Sequence, residues 1–326
     1  MVRRLGVGDP APSPLVASPE HELSAAWEAH SQPAVSIICA TYQHSEFISD
    51  ALNGFLGQVT DFAFEVLVRD DASDDGTAEI VADFAERYPG VVRAVLEPEN
   101  TWPQQQAAFL LQPQSRGEFI AYCEGDDYWT DPHHLATLVA ELRAHPEASA
   151  VYCPTVNIAR GRITLRYEYK HGVHDPLLIP HFPGIPLGAI CARNIPVPAP
   201  PMRHRIRALD RYHLSTWAKA GPILPVPHAA PSVYRLHEGG QWSPLTEKDR
   251  AALVVDSYIW IAEWWRDQGD DALAGEFERA AIRRLLNALP EAELIAFRCR
   301  FVFLRGVGAA ILRHLSDLRR AICRHR

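Results

Sequence analysis

The sequence predicts an α/β fold: a mostly parallel sheet with helices on both faces, followed by a C-terminal helical extension. Three observations carry this. Between residues 35 and 153, short β-branched apolar runs alternate with segments whose apolar residues recur at helical spacing. Three of those runs end in chemically loaded groups, Thr41-Tyr42, Asp70-Asp71 and Asp126-Asp127, as expected where ligands bind at the carboxyl ends of parallel strands. Finally, 326 residues with 47% hydrophobic and 22% charged side chains suffice for a sizeable core and match an ordinary globular protein.

The first strand is Val35-Ser-Ile-Ile-Cys-Ala40, leading into Thr41-Tyr-Gln-His44. A helix follows, because Phe47, Ile48, Ala51, Leu52, Phe55 and Leu56 share one face. The strand Phe64-Glu-Val-Leu-Val-Arg69 then reaches Asp70 and Asp71. The next helix spans roughly Gly76 to Arg87, burying Ile80, Val81 and Phe84, with Asp74 or Asp75 as its N-cap. A strand at Val91–Leu96, a Gln-rich polar helix and the strand Glu118-Phe-Ile-Ala-Tyr-Cys123 come next, and the last runs into Glu124-Gly-Asp-Asp127. A helix from Pro132 to His145 and a strand from Ser149 to Cys153 complete the alternation. Prolines crowd Pro176 to Pro201, so regular structure is not expected there. Arg207 to Ala220 reads as helix, Pro231 to Arg235 as a short strand, and the chain after Thr246 as mainly helical.

Residues 1–33 hold five prolines and read as a flexible arm with at most one short helix near Leu23 to His30. They lack the continuous apolar stretch of a signal peptide, and no run approaches the length of a membrane span. Six cysteines without a C-x-x-C pair read as reduced core thiols, which points to a cytoplasmic protein. The net charge of −8 argues against a nucleic-acid binder, since phosphate binding needs a basic surface. That charge is unevenly spread: Arg298 to Arg326 carries +7 and the remainder −15. The basic tail also holds a helical apolar pattern, so it can lie on the inner face of a membrane as a peripheral contact or pack onto the protein with its arginines solvated.

Asp126-Asp127 follows a glycine that permits a sharp turn. Adjacent carboxylates repel and gain nothing from folding alone, whereas Mg²⁺ or Mn²⁺ takes one or two carboxylates together with phosphate oxygens. The plain alternative is a solvated loop before a helix capped by Asp131. In Asp70-Asp71-Ala-Ser-Asp-Asp-Gly-Thr77, helix capping explains Asp74 and Asp75 but leaves Asp70 and Asp71 unexplained. A carboxylate at a strand end, Asp71 above all, can accept a hydrogen bond from a base N–H.

Taken in order, Val35 to Tyr42, Asp70 to Thr77 and Glu124-Gly-Asp-Asp-Tyr-Trp129 resemble the family 2 glycosyltransferases with the GT-A fold. The resemblance implies a Rossmann-like GT-A domain over 34–243, divided into a nucleotide-sugar-binding half (34–155) and an acceptor half (156–243), with 244–326 as the helical extension. It implies that Tyr42 flanks the nucleobase and Thr41 lines its pocket. Asp71, with Asp70 beside it, binds the base, Asp126 contacts the ribose, and Asp127 ligates a divalent metal bridging the diphosphate. Leu209-Asp-Arg-Tyr-His resembles the segment in which an Asp opening a helix acts as base, which selects Asp210; its other role is that helix's N-cap. Ser232-Val-Tyr-Arg-Leu-His-Glu-Gly-Gly resembles a block in which Arg235 offsets diphosphate charge and His237 ligates the metal. Gln104-Gln-Gln106 departs from the family pattern, where an arginine contact to the donor is usual.

The expected activity is metal-assisted, inverting transfer of a sugar from a nucleotide diphosphate donor, UDP-type first, using Mn²⁺ or Mg²⁺. The acceptor stays open among a glycan, a lipid-linked saccharide, a protein side chain and a natural product. Two rivals remain: a non-catalytic nucleotide-sugar-binding protein on the same scaffold, and a nucleotidyltransferase. The second calls for a basic Gly-rich loop after the first strand, where the chain reads Thr41-Tyr-Gln-His-Ser-Glu46.

Overall fold

The computed structural model describes residues 5–27, 32–104, 106–168, 171–182 and 184–288. The chain divides into two units, residues 1–281 and 282–326; the described part of the second, 282–288, ends the last helix. The basic tail lies outside the described residues, as do Cys299 and Cys323.

In chain order the elements are helix α1 (Glu20–Leu23), strand β1 (Val35–Thr41), α2 (Ile48–Leu56), β2 (Phe64–Asp70), α3 (Thr77–Arg87), β3 (Val92–Leu96), α4 (Ala107–Leu111), β4 (Phe119–Tyr122), α5 (His134–Ala144) and β5 (Ala150–Tyr152). They continue with β6 (Thr155–Ala159), β7 (Arg162–Tyr167), β8 (Ile190–Arg193), α6 (Leu209–Ala220), β9 (Ile223–Pro225), β10 (Ser232–Arg235), α7 (Glu247–Asp267) and α8 (Asp271–Ala288). Seven strands form one sheet in the order β3-β2-β1-β4-β8-β5-β9, parallel except where β8 runs against β4 and β5. A second sheet, β10-β6-β7, meets the first site-bearing loop through an isolated bridge between Tyr128 and Val233.

Every residue of β2 is buried, which is why its sequence runs apolar on both faces instead of alternating. Within the strand, the Glu65 carboxylate is satisfied by the Ser36 hydroxyl at 2.6 Å and by Arg116, whose backbone N–H donates at 2.7 Å and whose Nε donates at 2.8 Å. The helix α3 begins at Thr77 with Gly76, at φ 100°, as its N-cap in place of the expected Asp74 or Asp75; Asp75, one residue earlier, accepts from the Thr77 backbone N–H at 3.0 Å. The cysteines at 39, 123, 153 and 191 are free and buried. Among the described residues, no helix is long and apolar enough to cross a membrane.

Three features differ from the sequence reading. β8 lies within the stretch where regular structure was not expected. Its four residues contain no proline and pair on both sides, while Pro186 and Pro196 merely bracket them. The hairpin β6–β7 turns at Arg160 and Gly161, both at positive φ (49° and 72°), a turn that arginine does not advertise. The N-terminal segment, expected as a flexible arm, is docked where it is described. Gly8 N–H donates to Ile163 O at 2.8 Å, Ala11 N–H to Gly161 O at 2.9 Å, and Ser18 N–H to Leu56 O at 3.0 Å. Leu23 is buried, and Trp27 meets Phe64 edge-on with centroids 5.1 Å apart. An extended proline-rich chain needs no internal hydrogen bonds, so its backbone groups are available to the edge of β7.

Two core histidines make stability depend on pH. His134 stacks on Trp129 at 4.6 Å with both ring nitrogens lacking a partner; His213 sits between Phe109 and Trp217, its Nδ1 3.0 Å from Leu209 O. Burial pushes each down to about 4 from the ordinary value of 6.5. The unfolded chain therefore takes up these protons first. Their stabilising effect is complete above pH 6.5 and is lost progressively as pH falls towards 4. Urea unfolding is expected to weaken by roughly 2 kcal/mol per histidine between pH 7 and 5, and the double variant His134→Phe/His213→Leu to show a flatter profile. An unchanged slope in that variant would contradict the assignment.

Candidate active site

The site forms where β1 and β4 end side by side on the same edge of the sheet. β4 continues into Glu124-Gly-Asp-Asp127, and Gly125 is there because a Cβ would lie 2.6 Å from the Thr41 Oγ1. Gly125 N–H donates to Ala40 O at 2.8 Å, fastening this loop to β1. Asp127 is buried and its Oδ1 accepts the Arg235 backbone N–H at 2.9 Å. The Asp126 Oδ2 lies 3.0 Å from His237 Nε2 and 3.7 Å from His44 Nε2, while its Oδ1 is buried without a partner.

Three carboxylates, Glu124, Asp126 and Asp127, place oxygens within 4.8 Å of one another; ligand atoms of His44, Asp126 and His237 do the same. Burial pushes the Asp127 carboxyl well above the usual range, with Asp126 and Glu124 adding to it against the pull of Arg235. Burial acts in the same direction on Asp126, but the His237 hydrogen bond and the charges of His44 and His237 leave it lowered. Glu124 is raised by desolvation and then by Asp126 and Asp210, which brings Asp210, at the start of α6, into the field of the same cluster. Burial lowers His44 despite Asp126 beside it. A carboxylate held low beside two others that are pushed up, with a bare, buried oxygen and imidazole nitrogens around it, fits a divalent cation.

Each residue singled out in the sequence has a definite place. Thr41 is buried, with an unpartnered Oγ1, against Gly125. Tyr42 is 44% exposed just beyond it. Asp70 is buried and accepts from the Ser73 backbone N–H at 2.9 Å and its hydroxyl at 2.6 Å. Asp71 accepts from Arg69 Nη2 (2.9 Å), Thr101 N–H (3.1 Å), the Thr101 hydroxyl (2.9 Å) and Trp102 N–H (2.9 Å), so it orders the loop after β3. Gln106, at the departure from the family pattern, donates to Ile206 O at 3.1 Å just ahead of α6. The Asp210 carboxylate lies 3.6 Å from Arg211 Nε.

Arg235 serves the protein itself. Its Nη1 donates to Asp126 O at 2.9 Å, its Nη2 pairs with Asp50, and its guanidinium lies over the Tyr128 ring at 4.3 Å. The sequence reading passed over His44 and Glu124. Both stand within three residues of a strand end already marked by other polar groups, and that position was the available signal.

Residues 36–212 match the model of the family described as "Glycosyl transferase family 2". An uncharacterised protein of Mycobacterium tuberculosis is 33% identical over 281 residues, covering 77% of this chain and 75% of that one. Poly(ribitol-phosphate) β-N-acetylglucosaminyltransferase TarS of Staphylococcus aureus is 30% identical over 122 residues, 33% of this chain and 21% of that one. The crystal structure of TarS residues 1–349 in complex with UDP-GlcNAc superposes with a TM-score of 0.56 at 19% identity, covering 78% of this chain and 72% of that chain.

Replacing Arg235 tests its place in the site's framework. Arg235→Ala is expected to lower the unfolding free energy in urea by roughly 2–4 kcal/mol, since it strands the Asp50 carboxylate and the Asp126 carbonyl. Arg235→Lys should recover less than half, because an ammonium cannot reproduce the planar fork. Wild-type unfolding of the alanine variant would show the guanidinium to be dispensable for the fold.

Proposed function

The chain belongs to glycosyl transferase family 2, and from that premise we propose that it transfers a sugar, with inversion, from a nucleoside diphosphate donor of UDP type to an acceptor nucleophile. The observation that carries this reading is the Asp126-Asp127 pair at the sheet edge, held by Arg235 and His237 with one carboxylate oxygen left bare. Asp127 and His237, with Asp126 between them, would hold Mn²⁺ or Mg²⁺; when bound, the ion offsets the negative charge of the departing diphosphate.

The remaining roles fall to side chains of this chain. Tyr42, exposed beside Thr41, offers a face for the nucleobase, with Thr41 lining the pocket. Asp70 and Asp71 sit at the neighbouring strand end. Asp71 acts on the donor either through its carboxylate or through the Thr101–Trp102 loop that it orders. Asp126 faces the ribose. Asp210 takes the proton from the acceptor hydroxyl as the anomeric carbon is attacked, its carboxylate oriented by Arg211. The donor half is expected over residues 34–155 and the acceptor half over 156–243. TarS binds UDP-GlcNAc, which supports starting with a UDP donor.

Calorimetric titration of nucleoside diphosphates with and without Mn²⁺ tests the donor site. Binding of UDP is expected to require the metal and to be lost in Asp127→Ala. A folded wild-type chain that binds no nucleoside diphosphate would sink the reading. With a donor and acceptor in hand, Asp210→Asn is expected to reduce kcat by about 10²–10⁴-fold with UDP affinity retained. A variant that binds donor and turns over at the wild-type rate would remove Asp210 from the role of base. Metal-dependent UDP binding without turnover of any UDP-sugar would favour a binding protein on this scaffold.

A further inference from the structure

We infer that His44 is a further protein ligand of the metal seat, joining Asp126, Asp127 and His237 there, and that this second imidazole makes the site select transition-metal ions such as Mn²⁺ over Mg²⁺. The inference rests on the metal-assisted reading above and says which atoms do the holding.

His44 stands three residues beyond β1, on a loop that forces its ring towards Asp126. Gln43 takes a left-handed backbone (φ 57°), unusual for a residue with a side chain, and two contacts keep it there. Its N–H donates to the Ser73 hydroxyl at 2.8 Å, and its side-chain amide donates to Asp74 at 2.5 Å. The His44 backbone N–H in turn donates to the Thr77 hydroxyl at 2.8 Å. The ring is packed by Phe47 and by His237, whose centroids lie 6.3 and 5.9 Å away. So much fastening gives the imidazole one orientation.

In that orientation it gains no hydrogen bond. Nε2 is 3.7 Å from Asp126 Oδ2, beyond hydrogen-bond length, and Nδ1 is buried without a partner. Only 13% of the side chain is exposed, so water does little to compensate. The facing carboxylate shows the same deficit, its Oδ1 being buried and bare. Two imidazoles and a carboxylate place ligand atoms within 4.8 Å of one another, close enough for one cation to draw on all three. Imidazole is a ligand of first-row transition ions, and Mn²⁺, though it also takes carboxylates, accepts it, whereas Mg²⁺ takes oxygen ligands almost alone. Two nitrogens in place of one therefore set the choice of metal as well as its position.

The test is pulsed electron paramagnetic resonance of Mn²⁺ added alone to the full chain, with competition by Mg²⁺. The wild type should show coupling to two imidazole nitrogens, and His44→Ala and His237→Ala to one each. Mn²⁺ should bind about 10-fold or more tightly than Mg²⁺, and His44→Ala should lose about 10-fold or more of that affinity. His44→Gln, unfolding at the wild-type urea concentration and showing the same loss, would exclude a folding defect as the cause. Unaltered nitrogen coupling in His44→Ala, or Mg²⁺ bound as tightly as Mn²⁺, overturns the inference. So does failure of the folded chain alone to take up Mn²⁺, while the donor-site reading stands or falls separately on its own titration with UDP.

Discussion

Three carboxylates that repel one another hang on the end of a single strand, and much of the surrounding structure exists to keep them together. Glu124, Asp126 and Asp127 follow β4 within five residues; desolvation and then the charge of Asp126 raise both Glu124 and Asp127. Hydrophobic packing cannot hold such a cluster, because desolvation only sharpens the repulsion. Donors must be brought to it. The loop itself supplies the Asp126 backbone N–H, its turn being set by Gly125 pressed against Thr41. The others come from β10 and the residues just after it, more than a hundred positions later in the chain: the Arg235 N–H to Asp127, the Arg235 guanidinium to the Asp126 carbonyl, and His237 to the Asp126 carboxylate.

That requirement gives the small sheet a purpose beyond covering the core. β10 reaches the loop because it pairs with β6, which pairs with β7, and because Tyr128 and Val233 exchange main-chain hydrogen bonds. The N-terminal segment locks the far side. Its residues 8–11 bond to the β6–β7 hairpin, and Pro12 accepts the Tyr128 hydroxyl at 2.7 Å. Tyr128 thus carries the Arg235 guanidinium on its ring and is itself held by the arm. A chain of contacts therefore runs from residue 8 to the acidic loop, and no part of it includes a residue proposed to touch substrate except the acidic residues themselves.

The legible parts of the molecule were those whose reason is local. β1, β2 and β4 were marked by continuous apolar runs, and the loaded strand ends by residues that folding alone does not call for. β8 was hidden because four residues among prolines have too little pattern to stand out, and its pairing on both sides comes entirely from distant strands. The arm was hidden for a related reason: proline-rich composition describes a chain that cannot bond to itself, and says nothing of whether an open edge such as β7 will receive it. His44 shows the same limit within the site. Its meaning depends on His237 and Asp126, which lie 193 and 82 positions away, and no spacing rule joins them.

Asp71 illustrates how one residue type can satisfy two readings at once. As a strand-end carboxylate it was expected to meet the donor, yet its oxygens already accept four hydrogen bonds from Arg69, Thr101 and Trp102. Those bonds fix the loop after β3, and Trp102 lies under the Arg207 guanidinium at 5.1 Å, two residues before α6. Gln106, further along the same loop, bonds to the carbonyl of Ile206. The departure Gln104-Gln-Gln106 therefore exchanges a side chain suited to contacting an anion for one that ties the loop to the segment presenting Asp210. The carboxylate just past β2 and the carboxylate at the head of α6 are joined through this loop, so their separation is set by protein–protein bonds before any ligand arrives. Pre-set spacing of that kind is what a transfer reaction requires, since two substrates must be held in line at one carbon.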